Sequence, residues 1–150
     1  MIGALMSQSR QFRFNKGFKP LPLEEGEEFF CNGIFEFNIT KLSAFIGANS
    51  DRFVEEHVEL TSPALSFSGE LNDQTVETAR VQKPVILAEI SPGRFNLIDG
   101  HHRVAKARRL GLQSIPAYRV KAEDHLAFLT SVDAYTKYVG YWNRKLSEES

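Results

Sequence analysis

A chain of 150 residues with 42% hydrophobic and 25% charged positions has the make-up of one ordinary globular domain. At this length folding buries roughly 70% of the surface that the unfolded chain exposes, so a core forms without metal or disulfide staples. The single Cys31 excludes an intramolecular disulfide and a thiolate zinc site, and no uncharged apolar run, the best being Pro84 to Ala88, approaches the roughly 20 residues of a bilayer crossing.

The leading MIGALMSQSR lacks the basic start and the apolar length of a secretory signal, so a cytoplasmic address and no membrane partner are expected. Residues 1–28 read as an irregular arm. Phe12, Phe14 and Phe18 are separated by polar residues and followed by Lys19-Pro20-Leu21-Pro22 and an acidic stretch from Glu24 to Glu28. The three rings are expected to tuck against the domain or a second copy of the chain, because exposed aromatics are costly in water. Residues 29–150 form the single domain. From Phe29 to Ile39, Ile34, Phe35, Phe37 and Ile39 mix with Glu36 and Asn38 as in a strand, and Asn32-Gly33 suits a hairpin turn. Thr40 is the expected cap of a short helix through Ile46, stopped by Gly47, and Asp51 to Leu60 is expected to add a helical turn or two before Pro63.

Leu71 to Val81 reads as a short helix after a cap at Asn72 or Asp73, ended by Pro84. Val85 to Ile90 is a continuous apolar run of strand length. Ser91-Pro92-Gly93-Arg94 turns the chain into a second strand, Phe95 to Ile98. After Asp99-Gly100 the period becomes helical, with Val104, Ala105, Ala107 and Leu110 inward, Lys106, Arg108 and Arg109 largely outward, and Gly111 as the stop. Ile115 to Val120 resumes a strand, in which Pro116 suits the first residues or an edge. A last helix is expected from near Asp124, with Leu126, Leu129, Val132, Tyr135, Val139, Trp142 and Leu146 laying one face on the core. No internal repeat is visible.

The formal net charge of −1 conceals an uneven distribution, since the window from Arg94 to Lys121 carries seven basic residues against Asp99 alone, a local +6 that leaves −7 elsewhere. A local basic patch attracts a phosphate-bearing ligand or a nucleic-acid backbone. Inside it, Leu97-Ile98-Asp99-Gly100-His101-His102-Arg103 joins a strand to a helix through a glycine. The first turn of a helix has unpaired N–H groups and a partial positive charge, so it can hold a phosphate with backbone donors alone. Gly100 tolerates a positive φ and has no Cβ to obstruct an incoming oxygen. Arg103 can donate two parallel hydrogen bonds, and His101 and His102 add donors that strengthen on protonation. Asp99 either holds the turn or serves phosphoryl transfer by orienting a nucleophile, taking its proton or holding Mg²⁺.

Asp99-Gly100-His101-His102-Arg103, followed by Val104, Ala105 and Ala107, resembles the helix-opening motif of the ParB and sulfiredoxin superfamily, and the likeness runs from about Pro84 to Leu129. It implies an α+β fold, a small mixed sheet with surrounding helices. It also implies that Gly100, His101, His102 and Arg103 bind the phosphates of ATP, ADP or CTP with Mg²⁺. The Asp-Gly-His-x-Arg form is similar to that of the ParB-like free serine kinases, which implies a catalytic, Mg²⁺-touching role for Asp99. Sulfiredoxin has a cysteine where His101 stands, so cysteine-dependent sulfinic-acid repair is not expected. The partition proteins carry a long helix-turn-helix segment beyond this region, and centromere-type sequence reading is not expected either.

Two other readings stay open. In one, Arg94, Lys106, Arg108, Arg109, Arg119 and Lys121 lie on DNA or RNA and the protein is a binding module or nuclease, with binding that falls steeply with salt. In the other, the protein is a nucleotide-gated dimerising clamp without turnover, whose Phe-rich arm moves or dimerises on binding. Adjacent His101 and His102 point to different sides of a helix and make no zinc pair. His57 and His125 are isolated and are read as structural. Tyr135, Tyr138, Tyr141 and Trp142 are read as core aromatics before a base-stacking platform. Glu55, Glu56, Glu59, Glu70, Asp73 and Glu77 offer further carboxylates among which the sequence does not choose.

Overall fold

The computed structural model of the chain describes residues 10–32 and 35–148. It is a mixed α+β arrangement of a two-stranded antiparallel sheet and a four-stranded mixed sheet flanked by helices. Strands β1 (Phe29–Cys31) and β2 (Glu36–Asn38) pair antiparallel as the expected hairpin, with Phe29 opposite Asn38. Gly33 and Ile34, at its expected turn, lie outside the described residues. Helix α1 (Ile39–Ala48) follows, then β3 (Glu56–Glu59), a 3₁₀ turn (Pro63–Leu65) and α2 (Asp73–Thr78). Strands β4 (Val85–Ser91) and β5 (Arg94–Asp99), helix α3 (His101–Arg109) and β6 (Ser114–Val120) build the centre. The chain closes with α4 (Ala122–His125), a 3₁₀ turn (Leu126–Phe128) and α5 (Val132–Glu148). No described helix is long and apolar enough to cross a membrane.

The large sheet has the order β3-β6-β4-β5. β4 and β5 form an antiparallel hairpin, β6 returns parallel to β4 after α3, and β3 pairs antiparallel with β6. Alternation of side chains along a strand divides the apolar residues between two faces. Val85, Leu87, Leu97, Ile115 and Ala117 pack with Val104 and Ala107 of α3, while Ile86, Ala88, Ile90, Ile98 and Val120 pack with Tyr138, Val139 and Trp142 of α5. β4 is buried along its whole length, which is why its sequence is a continuous apolar run and not an alternating one.

Four sequence expectations need correction and a fifth is narrowed. Asn38, not Thr40, caps α1, its Oδ1 accepting from Lys41 N at 3.0 Å, and the helix runs through Gly47 to Ala48. Residues 56–59 are a strand and not helical: buried Val58 and Leu60 alternate with exposed His57 and Glu59, a period of two that pairing with β6 makes the stable choice. Leu110 is 58% exposed, because it lies ~240° round the helix from Val104. The buried positions of α3 are Arg103, Val104 and Ala107. Of the two places offered for Pro116, the structure gives the first residues of the strand and not an edge: it is third in β6, an interior strand, one residue ahead of the first parallel partners Val85 and Ala117. The single last helix is two helices broken at Leu129–Ser131, which turns Ala134, Tyr135, Tyr138, Val139 and Trp142 inward and leaves Val132 exposed.

The arm is tied to α5. Trp142 Nε1 donates to Arg10 O at 2.9 Å, and Asn143 brackets Phe12 by accepting from its N at 2.9 Å and donating to its O at 2.8 Å. Phe18 stacks on Tyr135 with ring centroids 4.0 Å apart and Phe12 tilts on Trp142 at 5.3 Å, while Phe14, 56% exposed, meets Tyr135 edge-on.

Candidate functional site

The junction of β5 and α3 is shaped by Gly100, whose φ of 106° and ψ of 23° place it in the left-handed region. A Cβ there would collide with Val85, lying 2.8 Å from Val85 Cβ, and would sit 3.2 Å from Arg103 Cζ. The missing side chain therefore faces the interior. This corrects the expectation that glycine clears the way for an incoming oxygen: it lets α3 start against β4.

Asn38, Asn72 and Ser131 each accept a backbone N–H at 3.0 Å in the first turns of α1, α2 and α5, but no side chain caps α3. Its first intrahelical bond runs from Val104 N to Gly100 O at 3.0 Å, so the earlier N–H groups of His101, His102 and Arg103 begin the helix without a side-chain acceptor.

Arg103 is only 9% exposed. Its Nη1 donates to Lys83 O at 3.1 Å and Pro84 O at 2.5 Å, and its Nη2 donates to Asp99 Oδ2 at 3.0 Å. The guanidinium thus braces the turn against the segment that leads into β4. Asp99, partly exposed, is the acidic partner of that brace.

His101 carries the two contacts that sequence reasoning missed. Its ring stacks on Phe30 at 5.7 Å and meets Phe67 edge-on at 4.9 Å. Burial holds its pKa below the usual histidine value, with His102 and Arg103 adding repulsion and Asp99 opposing them. The ring is neutral near pH 7, so protonation does not strengthen it as a donor there. Phe30 comes from β1 and Phe67 from the loop before α2, and no periodicity or motif in either segment points to the turn.

The basic window does not form one face. Lys106 donates to Ala79 O at 2.8 Å, Arg108 donates to Leu60 O at 3.0 Å and Leu65 O at 3.2 Å, Arg109 pairs with Asp73 at 2.6 Å and Arg119 pairs with Glu56 at 2.7 Å. Arg94 starts β5 and Lys121 follows β6, at the end of the sheet away from the start of α3. Of the other candidates, His57 on β3 lies 3.3 Å from Ser114 Oγ on β6, and His125, Tyr135, Tyr138 and Trp142 are buried in the core. Among the described residues no group of three His, Cys, Asp or Glu side chains stands together as a metal site, so Asp99 would offer a cation one carboxylate beside phosphate oxygens.

The chain matches no protein-family model and no curated protein.

Proposed function

We propose that the protein has the ParB and sulfiredoxin kind of fold and binds a nucleotide, ATP, ADP or CTP with Mg²⁺, through its phosphates at the start of α3. The observation that carries this reading is the uncapped first turn of α3 behind a left-handed glycine, where α1, α2 and α5 have side-chain caps. The order of β4, β5, α3 and β6 also supports it, since it is the order that the motif resemblance implies. Phosphate oxygens would accept from the backbone N–H groups of His101, His102 and Arg103, favoured by the helix dipole. Gly100 sets the turn, and Arg103 supplies positive charge beneath it while holding the turn to β4. His101 would present a neutral imidazole between Phe30 and Phe67, and His102 a second donor at the rim. Asp99, next to the turn, would hold Mg²⁺ or take the proton of a small hydroxyl acceptor during phosphoryl transfer or hydrolysis.

Calorimetry with ATP, ADP, CTP and GTP, with and without Mg²⁺, tests the binding. Saturable heat is expected with at least one nucleotide, and Arg103→Lys, which keeps the charge but loses the planar fork that braces the turn against Lys83 O, Pro84 O and Asp99, should weaken it by roughly tenfold or more. No heat with any of the four overturns the reading. Release or transfer of the γ-phosphate should stop in Asp99→Asn, and turnover at the full wild-type rate in that variant returns Asp99 to a structural role.

A further inference from the structure

We propose that the protein has a second small-molecule site, for a monocarboxylate, in the cavity between the β4–β5 hairpin and the C-terminal half of α5. The cavity measures about 410 Å³, within the range of small-molecule sites, and Ile90 forms part of its wall. Local geometry explains how it is built. Arg94 and Asn96 are two apart on β5 and so share a face, and Tyr141 and Lys145 are four apart on α5 and share a helical face. Ser91 closes the strand side. The hairpin is held from behind, because Gly93 N donates to buried Glu89 at 2.8 Å, so the strand wall is set before any ligand arrives.

The chemistry of the wall points to an anion. Arg10, Arg52, Arg103, Arg108, Arg109 and Arg119 are engaged within the chain, whereas Arg13 and Arg80 have no side-chain hydrogen bond or ion pair among the described residues and face solvent; Arg94 differs from these two in lining a cavity. Among the described residues Arg94, Ser91 and Asn96 have no side-chain hydrogen bond or ion pair, and all three line this cavity. Lys145 is the second cation, 3.4 Å from Glu148 Oε2 and 5.6 Å from the Tyr141 ring centroid. Arg94 and Lys145 against Glu148 give the lining a formal charge of +1, which one carboxylate neutralises; a phosphate carrying about −1.5 to −2 would leave excess negative charge beside Glu148. Arg94 can grip both carboxylate oxygens through two parallel N–H bonds, Ser91 and Asn96 can bond a polar substituent, and Ile90 and Tyr141, whose ring also meets Arg144 at 5.4 Å and Phe35 at 5.5 Å, line the space for the body of the acid. This site is separate from the start of α3, since Arg94 and Asp99 are at opposite ends of β5, ~17 Å apart along the strand.

Amide NMR titrations with benzoate and, separately, inorganic phosphate, at constant ionic strength, test the proposal on the full chain. Benzoate should give saturable shifts in residues 90–96 and 141–148, and Arg94→Gln should weaken it about tenfold or more. The thermal midpoint of Arg94→Gln should equal that of the wild type, since the side chain has no partner to lose; a shift in the midpoint would show that Arg94 has a structural role and overturn the assignment. The proposal also fails if benzoate does not saturate, if its shifts fall elsewhere, if Arg94→Gln binds it equally well, or if phosphate binds more tightly than benzoate. A failure of nucleotide binding at the start of α3 leaves all of these readouts unchanged.

Discussion

Gly100 answers two demands at once, a left-handed backbone and a close approach to Val85, and no other residue type meets both. Gly100→Ala should therefore cost on the order of 2–4 kcal/mol, from positive-φ strain together with overlap in a packed interior. Urea denaturation measures it, and a loss below 1 kcal/mol would show that β4 and α3 can move apart, by roughly the amount that relieves such an overlap. His125 illustrates a different residue-scale effect. Its Nε2–H donates to Glu89 O at 2.7 Å, its Nδ1 has no partner, and Phe37 and Tyr138 meet its ring edge-on. Burial pulls its pKa down to about 4 from 6.5. The unfolded chain then takes up this proton first as the pH falls, so the stability is complete above about 6.5 and drains away towards pH 4, by on the order of 3 kcal/mol. His101, also lowered by burial, acts in the same direction. Denaturation at pH 7.5 and pH 5 should show about 2 kcal/mol of this loss in the wild type and a smaller one in His125→Phe; equal losses would assign the slope to other groups.

At the scale of elements, the arm is part of the fold because one ion pair carries it inward. Glu89 is 2% exposed, and Arg10 reaches it with Nη1 at 2.9 Å and Nη2 at 2.7 Å while also pairing with Glu123 at 2.6 Å. Burial works against the Glu89 carboxylate, yet Arg10 and the N–H groups of Gly93 and Ala122 hold its pKa below the usual range. Removing the cation would leave a buried charge short of a partner. Arg10→Met should cost about 2–4 kcal/mol, and adding Glu89→Gln should return part of it, because the orphaned charge goes too. Equilibrium denaturation of the two single variants and the double variant gives the coupling; strict additivity would mean that Arg10 and Glu89 do not stabilise one another and that the arm is held by its other contacts with α5. The same helix explains the phenylalanines, since Phe12 and Phe18 find aromatic partners on α5 and Phe14 keeps an exposed place beside Tyr135.

Across the whole molecule, the basic window divides into side chains that hold the fold and side chains that face outward. Arg108 ties α3 to the carbonyls of Leu60, ahead of the 3₁₀ turn, and Leu65, its last residue. Arg109 makes an exposed pair with Asp73, and Lys121 is exposed. Arg108→Ala should accordingly lower stability by about 1–3 kcal/mol, while Arg109→Ala and Lys121→Ala should stay within about 0.5 kcal/mol of the wild type. Thermal unfolding distinguishes these classes. A mobility-shift assay at two salt concentrations should show little retention of DNA or RNA by the wild type, because the cations that a phosphate backbone would need are engaged within the chain or divided between two ends of the sheet. Strong, salt-sensitive retention lost in Arg109→Ala would instead restore the polynucleotide reading.

The elements with a local cause were legible from residue types alone. β4 showed as an apolar run, β5 followed a Pro-Gly turn, and α3 followed Asp99-Gly100, because turn chemistry and periodicity act within a few residues. The candidate turn from Asp99 to Arg103 was legible for the same reason. Residues 56–59 became a strand only through pairing with β6, and the break at Leu129–Ser131 follows chain contacts such as Leu21 N to Leu129 O at 3.1 Å. Phe30 and Phe67 came beside His101, and Arg10 beside Glu89, from segments with no pattern that announces a partner. Spacing along the chain sets which side chains share a face of one element. Which elements meet, and so which charges are neutralised and which remain open to a ligand, depends on long-range burial and pairing that only the assembled structure decides.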